Sequence, residues 1–474
     1  MAKGKVLGGS STINTMALRI GAPEDYDHWA ELGNEGWNWL NVTKYFDKVD
    51  ETIKTTDYTS TSPFRNVLGK AVEELGIDPN SCGGYGYKDA PIQTYEGQRY
   101  SQAKAYLSPI KDRKNLCVVT EKIVTGLWFT QNGTIQGVTI NDSPTTSKRI
   151  KSTKEVILSA GAINTPKLLM LSGIGPRGQL QKLGIPTKVN LPVGQNFMDH
   201  MVIPIMLQGI MPDLDFEEPV TLKDQIDIYC SNKTGSDLST IGISNYQGYI
   251  NTGNSITWSV PNQLPNVELL HYGFNPQEPI LNITLNRFGF MDDYQNQLKK
   301  INTNRSLLII LINILHPKSR GSIELEDTHP LTPPKINPNF LSHPDDIKTI
   351  LQGVQFVERL LQTWSLSGFS IIDLGLSHCS QFEFGTPTYW ECYSRTFAMS
   401  IFHASGTCKM GNDSSQSVVN PRLQIWGQPK IRVVDSSIMP ELITGHTNFP
   451  VGMIAEKAAD IIKEDYQKLT FKVV

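Results

Sequence analysis

The stretch from Glu155 to Gly175 reads Glu-Val-Ile-Leu-Ser-Ala-Gly-Ala-Ile-Asn-Thr-Pro-Lys-Leu-Leu-Met-Leu-Ser-Gly-Ile-Gly. Its first five residues contain the apolar run Val-Ile-Leu, which is typical of a short buried β-strand. Residues 160–165 then turn the chain, and Pro166 predicts the start of a helix through Leu171, because proline is favoured at the first helical position. A strand that leads through a glycine turn into a helix can present the helix N-terminus to an anion.

Strand and helix signals alternate on both sides of this stretch. Strands are predicted at Leu116–Val119, Ile123–Phe129, Gly137–Ile140, Leu307–Leu315 and Lys430–Asp435. Helices are predicted at Leu40–Val49, Pro63–Leu75, Asp345–Gln362 and Val451–Tyr466, where apolar residues recur at helical spacing. Mixed strand and helix signals over the whole length predict a protein that contains both kinds of element.

Composition excludes several classes of protein. The 474 residues are 39% hydrophobic and 19% charged, which is typical of a globular chain long enough for two domains. A net charge of −3 without a basic run argues against nucleic-acid binding. The longest apolar run, Leu307–Leu315, is too short to cross a bilayer, so no membrane span is predicted. The six cysteines and nine histidines show no spacing typical of metal ligands, and no metal site is predicted.

Two histidines near the C-terminal end are candidates for proton transfer. His403 opens the segment His-Ala-Ser-Gly-Thr-Cys-Lys-Met, and His446 lies in Thr-Gly-His-Thr-Asn. An imidazole titrates near neutrality and can take a proton from an alcohol. Either histidine alone is more simply read as a hydrogen-bonded structural residue. A third histidine, His200, follows Asp199, and a structural hydrogen bond between those two is preferred to a catalytic role.

The chain opens with the glycine-rich segment Gly-Lys-Val-Leu-Gly-Gly-Ser-Ser-Thr-Ile-Asn, residues 4–14. Adjacent Gly8 and Gly9 allow the backbone to approach a ligand closely, and the hydroxyls of Ser10 and Ser11 can reach phosphate or ring heteroatoms. A tight structural turn explains the same residues. The segment is not a Gly-x-Gly-x-x-Gly fingerprint.

These segments together resemble the glucose–methanol–choline oxidoreductases, which are FAD-dependent alcohol oxidases and dehydrogenases. The resemblance rests on residues 4–14, 161–175 and 193–200 and on the two histidine segments. Residues 406–411, 433–440 and 453–460 are most similar to the insect glucose-dehydrogenase branch. One departure is Leu18, which stands where an aromatic residue or alanine is usual. The resemblance implies an α/β (α+β) fold: a Rossmann-like FAD-binding domain and a substrate domain built on an antiparallel sheet. The implied parts are residues 1–204, 205–316 and 317–466.

The resemblance also implies roles for individual residues. His403 is the expected acid or base, and His446 is expected to bind the substrate oxygen or share the proton. The expected FAD contacts are Gly8, Gly9, Ser10, Ser11, Asn14, Thr15, Met16, Ala17, Val124, Asp435, Ser436, Thr447 and Asn448. The segment from Asn14 to Ala17 would lie along the flavin, and Val124 would contact the adenosine part through its backbone. Asp435 and Ser436 would approach the pyrophosphate or ribityl chain. The helix that starts near Asn448 would point at the pyrimidine edge.

A feature expected of this family is missing from the start of the chain. Relatives carry, before the Gly-Gly-Ser-Ser motif, a βαβ unit of about 30 residues with Gly-x-Gly-x-x-Gly, which holds the ADP half of FAD. The FAD domain is therefore predicted to be incomplete at its N-terminus. Three interpretations stay open: a flavin-dependent dehydrogenase or oxidase, a truncated or degenerate relative without catalysis, and an extracellular binding protein that uses the old substrate cleft.

The resemblance predicts an alcohol or sugar substrate and a quinone-like acceptor or oxygen. No signal peptide is visible in this chain, but secretion is predicted for the full-length form. Asn-x-Ser/Thr sequons point the same way, and they occur at Asn41, Asn132, Asn141, Asn232, Asn282, Asn304 and Asn412. Cys379 and Cys392 either close a small disulfide loop or remain two separate thiols.

Overall fold

The computed structural model describes residues 2–81, 84–141, 146–211, 221–233, 242–259 and 263–471. Its helices are α1 (Pro23–Glu31), α2 (Trp39–Thr52), α3 (Pro63–Glu74), α4 (Gly161–Leu171), α5 (Arg177–Lys182), α6 (Leu222–Asn232), α7 (Leu281–Phe288), α8 (Asp292–Asn302), α9 (Pro344–Leu360), α10 (Pro387–Phe397) and α11 (Asn448–Phe471). Its strands are β1 (Gly86–Asp89), β2 (Thr94–Tyr95), β3 (Gln98–Arg99), β4 (Val124–Phe129), β5 (Ile135–Asn141), β6 (Ser147–Lys151), β7 (Val156–Leu158), β8 (Met201–Gly209), β9 (Tyr246–Ile250), β10 (Val267–Phe274), β11 (Ser306–Ile314), β12 (Ser322–Glu324), β13 (Lys335–Asn337), β14 (Phe369–Ile371), β15 (Met399–Ser400), β16 (Gln424–Ile425) and β17 (Gln428–Val433).

The largest sheet is antiparallel and has seven strands. Its order is β1, β9, β10, β11, β8 and β14, and β15 also pairs with β8. Every residue of β11 is buried, which agrees with the apolar run predicted as a strand there. A strand without alternation must be covered on both faces, and α8 and α9 pack against it. The predicted substrate domain on an antiparallel sheet is confirmed.

A smaller sheet gives the Rossmann-like part of the fold. In it β17 runs parallel to β7 and antiparallel to β16. Parallel strands place their carboxyl ends at one edge, where α/β folds bind ligands. Both Gly161, which opens α4 after β7, and Asp435, which follows β17, lie at this edge. The mixed α/β (α+β) class is therefore confirmed, whereas the boundaries 1–204, 205–316 and 317–466 stay predictions.

Helix α4 begins at Gly161, so the prediction that it starts at Pro166 was wrong by five residues. A proline inside a helix removes one backbone hydrogen bond and leaves the carbonyl four residues earlier without its donor. That carbonyl belongs to Ala162, and the Thr407 hydroxyl donates to it at 2.6 Å. A side chain from a distant segment thus replaces the missing donor, and the helix continues through the proline.

Most other predicted elements are present, with shifts of a few residues at their ends. The predicted strand Leu116–Val119 is wrong: those residues form neither strand nor helix, and Val118 and Val119 are exposed. An apolar run forms a strand only where a neighbouring strand accepts its hydrogen bonds, and no described strand pairs with this one. Among the described residues, no helix is both long and apolar enough to cross a bilayer.

Cys379 and Cys392 form a disulfide, so the interpretation of two separate thiols was wrong. The bond ties the turn before α10 to the helix itself. His378 lies beside the two sulfurs. Sulfurs bonded to each other are not thiolates, so this group does not supply the ligands that a soft metal ion needs.

Candidate active site

His403 and His446 lie beside each other although they come from distant parts of the chain. His403 follows β15 of the large sheet, and His446 lies two residues before α11. Their ring centroids are 5.1 Å apart, and the planes stand at 79° to each other. The backbone N–H of His446 donates to the Arg19 carbonyl at 3.0 Å, which fixes the loop that carries the ring. The two histidines predicted from sequence therefore form one pair.

His200 and Asp199 both form hydrogen bonds to His403. The predicted hydrogen bond between the side chains of His200 and Asp199 is absent. The His200 Nδ1 lies 2.8 Å from Nδ1 of His403, and its Nε2 lies 2.9 Å from the Leu315 carbonyl oxygen. The Asp199 carboxylate accepts from the backbone N–H of His403 at 2.8 Å and from the Ser400 hydroxyl. Both residues of that motif therefore hold His403, one by its ring and one by its backbone.

Glu268 is the partner of His446, and the sequence motifs did not identify it. Its Oε1 lies 3.0 Å from Nε2 of His446 and accepts from the Tyr249 hydroxyl at 2.6 Å. Its Oε2 accepts from the Asn313 amide at 2.8 Å. The signal in the sequence was an acid inside the apolar strand Val267–Phe274, since a buried carboxylate is rare unless it is paired.

Burial sets the charge of these groups. It opposes ionisation of Glu268, but His446 and the donors Tyr249 and Asn313 outweigh it and lower the pKa of Glu268 to about 2. Desolvation lowers the pKa of His200 to about 4 and lowers the pKa of His403 well below its ordinary value, with further lowering from neighbouring histidines. Near neutral pH, Glu268 is therefore an anion, and His200 and His403 are neutral.

Acid is expected to destabilise the protein through its buried neutral histidines. Desolvation lowers the pKa of both His200 and His271 to about 4, from 6.5 in an unfolded chain. Each histidine contributes roughly 3 kcal/mol to the free energy of unfolding above pH 6.5, and this contribution is lost as pH falls through 4. Asp199 acts oppositely, because desolvation raises its pKa to about 6, so its stabilisation returns on acidification. We expect these three residues together to give a net loss of about 3 kcal/mol.

Urea unfolding at a series of pH values between neutrality and pH 4 measures this loss. The variant His271→Asn removes one of the two histidines, lies outside the His403 pair, and should reduce the loss of stability on acidification by roughly 3 kcal/mol. A free energy of unfolding that stays constant across the range would contradict the assignment of these histidines as neutral.

The glycine-rich start of the chain forms a 3-10 turn, Gly9–Thr12. Gly8 and Gly9 have φ of 87° and 56°, which glycine adopts without strain. Ser11 is buried and bonded within the chain, since its hydroxyl donates to the Gly8 carbonyl and accepts from the Gln102 N–H. Ser10 accepts from the Gly4 N–H. A Cβ on Gly9 would meet no atom within 4 Å, so the backbone there faces open space that a ligand can fill.

The predicted flavin segment, Asn14 to Ala17, is joined to the start of α11. Met16 has φ of 68°, and its N–H donates to the Asn14 side chain at 3.1 Å. The Met16 carbonyl accepts from the Gln93 N–H, and the Gln93 side chain accepts from the Asn448 amide at 2.6 Å. Gln93 is a further residue that sequence reasoning missed. Thr15 and Ala17 lie in the same segment, which therefore borders the helix N-terminus.

Helix α11 begins at Asn448, as expected for the helix beside the flavin and three residues before Val451, where the helical periodicity begins. Thr447 precedes it, and its carbonyl accepts from the Val451 N–H at 3.0 Å. The first N–H groups of a helix have no partner inside the helix and carry a partial positive charge. His446 stands directly before this N-terminus, so the helix and the histidine pair face the same region.

Asp435 and Ser436 lie at the carboxyl end of β17, and their polar atoms are used within the chain. Asp435 accepts from the Gly161 N–H at 2.8 Å, from the Thr165 hydroxyl at 2.6 Å and from the Ser437 N–H at 2.8 Å. The Ser436 hydroxyl donates to the Ala404 carbonyl at 3.0 Å. Both residues therefore shape the edge of the small sheet and fix the residue next to His403.

Val124 stands apart from the other predicted cofactor residues. It is the first residue of β4, in a separate antiparallel sheet of β4, β5 and β6, and it is 40% exposed. The remaining residues fit the flavin end of FAD on three observations: the open space over Gly9, the N-terminus of α11, and the histidine pair beside it. A helix N-terminus favours negative charge beside it, and open space over a glycine lets a ligand approach the backbone closely.

Comparison with known proteins agrees with this arrangement. Residues 1–202 and 317–455 match the N-terminal and C-terminal domains of the GMC oxidoreductases. Glucose dehydrogenase (FAD, quinone) of Drosophila melanogaster is 33% identical, over 97% of this chain and 74% of its own length. Human mitochondrial choline dehydrogenase is 31% identical, over 97% of this chain and 76% of its own. A structure of Aspergillus oryzae formate oxidase superposes with a TM-score of 0.80 at 24% identity, covering 99% of this chain and 85% of that one.

Two matched domains that together span most of the chain, and relatives above 30% identity over nearly its full length, lead to one assignment. The chain belongs to the GMC oxidoreductase family.

Proposed function

We propose that this FAD-dependent oxidoreductase removes a hydride from the CH–OH carbon of an alcohol or sugar, with His403 as the base and His446 as the partner that binds the substrate oxygen. One observation carries the proposal: two imidazoles with centroids 5.1 Å apart each have one ring nitrogen bonded to the protein. A base and a donor that share one oxygen must both lie within about 3 Å of it. We propose that the second nitrogens of this pair, Nε2 of His403 and Nδ1 of His446, both reach that oxygen.

Each histidine has a different environment and hence a different task. His403 is neutral and bonded to His200 through Nδ1, which leaves Nε2 to take the hydroxyl proton. His446 donates Nε2–H to the Glu268 carboxylate, so its Nδ1 donates to the substrate oxygen when the ring carries a second proton. The Glu268 anion compensates the positive charge that the pair gains when the proton arrives. A positioned base of this kind contributes about 10²–10⁴-fold in rate.

FAD, when bound, supplies the acceptor for the hydride. The chain's part is to hold it: the Gly8–Gly9 turn with Ser10 and Ser11, the segment Asn14 to Ala17 with Thr15 and Met16, and the N-terminus of α11 with Thr447 and Asn448. Asp435 and Ser436, at the edge of the small sheet, hold these segments in place. Val124 is proposed to contact the adenosine part of FAD. A helix N-terminus stabilises the negative charge that the reduced cofactor carries.

Relatives support the class of substrate. Their names include glucose dehydrogenase, choline dehydrogenase and alcohol dehydrogenase (acceptor), and each of those proteins oxidises a CH–OH group. We propose a small alcohol or sugar as the substrate of this chain, and a quinone-like compound or oxygen as its electron acceptor.

The visible absorption spectrum of the purified chain tests the proposal. The protein is incubated with FAD, free flavin is removed, and a panel of sugars and alcohols is added without oxygen. We expect retained flavin bands that one of these substrates bleaches. A colourless protein would contradict the proposal for this polypeptide and would favour a relative without catalysis.

We also propose that the full-length protein is extracellular and glycosylated. Six of the sequon asparagines are exposed, namely Asn41, Asn132, Asn232, Asn282, Asn304 and Asn412. The sequons that begin at Asn141 and Asn232 continue into residues outside the described part of the chain. The Cys379–Cys392 disulfide suits an oxidising compartment.

A further inference from the structure

We infer that His200 is a positioning residue that sets the tautomer of His403, so that Nδ1 of His403 carries its proton and Nε2 keeps the free lone pair. The catalytic meaning of this inference rests on the proposed function, since it concerns the proposed base. The proton arrangement itself rests only on the contacts of the two rings.

The argument starts from a backbone carbonyl. Nε2 of His200 lies 2.9 Å from the carbonyl oxygen of Leu315, and a carbonyl oxygen can only accept a hydrogen bond. Nε2 of His200 must therefore carry a hydrogen. A neutral imidazole has one N–H, so the other nitrogen, Nδ1, is an acceptor. His200 is fully buried, which favours the neutral form.

The second ring follows from the first. Nδ1 of His403 lies 2.8 Å from Nδ1 of His200, a hydrogen-bond distance that needs one donor and one acceptor. Since the His200 nitrogen accepts, the His403 nitrogen donates. His403 in its neutral form then has no hydrogen on Nε2, which is the nitrogen that a base needs for the substrate proton.

The surrounding charges are compatible with two neutral rings. Glu268, His316 and His446 act on His200, and the pKa of His200 nevertheless falls to about 4 because desolvation dominates. His200, His446 and Lys3 act on His403, and they lower its pKa further after desolvation. Asp199 bonds only the backbone of His403 and so does not compete for its ring protons.

The arrangement has a structural consequence. Leu315 directly follows β11, the buried central strand of the large sheet, and its own N–H donates to the Asn266 carbonyl at 3.0 Å. The sheet thus fixes the Leu315 carbonyl, to which His200 donates, and so fixes the first of the two hydrogen bonds that lead to His403. We conclude that the sheet of the substrate domain decides which nitrogen of His403 is basic.

Nuclear magnetic resonance of protein labelled with ¹⁵N in its histidine rings tests this directly and needs no turnover. The His403 signals are identified by their loss in His403→Asn. Near neutral pH we expect a protonated Nδ1 and an unprotonated Nε2. A protonated Nε2, or a charged His403 ring, would overturn the inference whether or not the enzyme is active.

Variants then test whether His200 is the cause. His200→Leu removes the acceptor, so the Nδ1–H form of His403 should no longer dominate, and kcat should fall at least about tenfold with little change in KM. His200→Asn can still accept near the position of Nδ1 and should restore most of the wild-type spectrum. His271→Leu is the matched control, because His271 is equally buried and bonds only the Tyr246 carbonyl.

The outcomes separate this inference from the proposed function. An unchanged His403 spectrum in His200→Leu would show that His200 does not set the tautomer. If His200→Leu does not fold, the wild-type spectrum still decides the proton arrangement. A His403→Asn enzyme with normal turnover would refute the proposed base while the spectral result remained valid.

Discussion

Replacing His403 with asparagine is expected to slow the reduction of bound flavin by an alcohol by about 10²–10⁴-fold. Asparagine keeps a polar group near the position of Nδ1 but has no basic nitrogen at Nε2, so the substrate hydroxyl keeps its proton while hydride is being lost. Stopped-flow absorbance under anaerobic conditions follows the bleaching of the flavin after the substrate is added. The flavin content of the purified variant should match the wild type.

A matched control is His378→Asn. His378 is an exposed histidine that bonds only the Thr396 hydroxyl and lies outside the proposed site. It should reduce flavin at the wild-type rate. Equal rates for wild type and His403→Asn, at equal flavin content, would rule out His403 as the base and would leave His446 with Glu268 as the pair to examine.

Recognition of the histidine pair from sequence was possible because each residue lies in a short motif that resembles a family. Glu268 had no such motif and is 178 residues from His446. The register of the sheet instead brings Glu268 to its two donors. Glu268 stands directly opposite Tyr249 on one neighbouring strand and opposite Asn313 on the other. Because register depends on the pairing of three separate strands, no local pattern around Glu268 predicts its donors.

The helix α4 shows the same division between local and distant causes. Periodicity and proline placement predicted a helix in the correct region. Pro166 nevertheless lies inside the helix, where the distant Thr407 hydroxyl bonds the Ala162 carbonyl in place of the missing N–H. The strand predicted at Leu116–Val119 is the opposite case, because an apolar run forms no strand when no neighbouring strand pairs with it. Local residues therefore predicted the kind of element, and distant contacts decided its ends and its existence.

Replacing Asp435 with alanine is expected to lower the free energy of unfolding by about 3–5 kcal/mol and to weaken retention of FAD. The carboxylate is buried and accepts three hydrogen bonds, from Gly161, Thr165 and Ser437. Each buried donor left without a partner costs about 1–3 kcal/mol. Urea unfolding measures the first effect, and the flavin absorbance that survives gel filtration measures the second.

Asp413→Ala is the control for this variant. Asp413 accepts from the backbone N–H of the residue two positions later, Ser415, as Asp435 does from Ser437, and it also accepts from the Ser415 hydroxyl. Unlike Asp435, it is exposed to water. Water replaces the lost acceptor there, so we expect no measurable change in the free energy of unfolding.

The free energy of unfolding of Asp435→Asn should lie between those of the two alanine variants, because an amide can accept at one atom while its NH₂ group meets the remaining donors. Equal stabilities for Asp435→Ala and Asp413→Ala would mean that the edge of the small sheet rearranges to satisfy its donors. In that event Gly161 and the start of α4 would not depend on Asp435, and a direct contact between its carboxylate and the cofactor would become the better explanation of this residue.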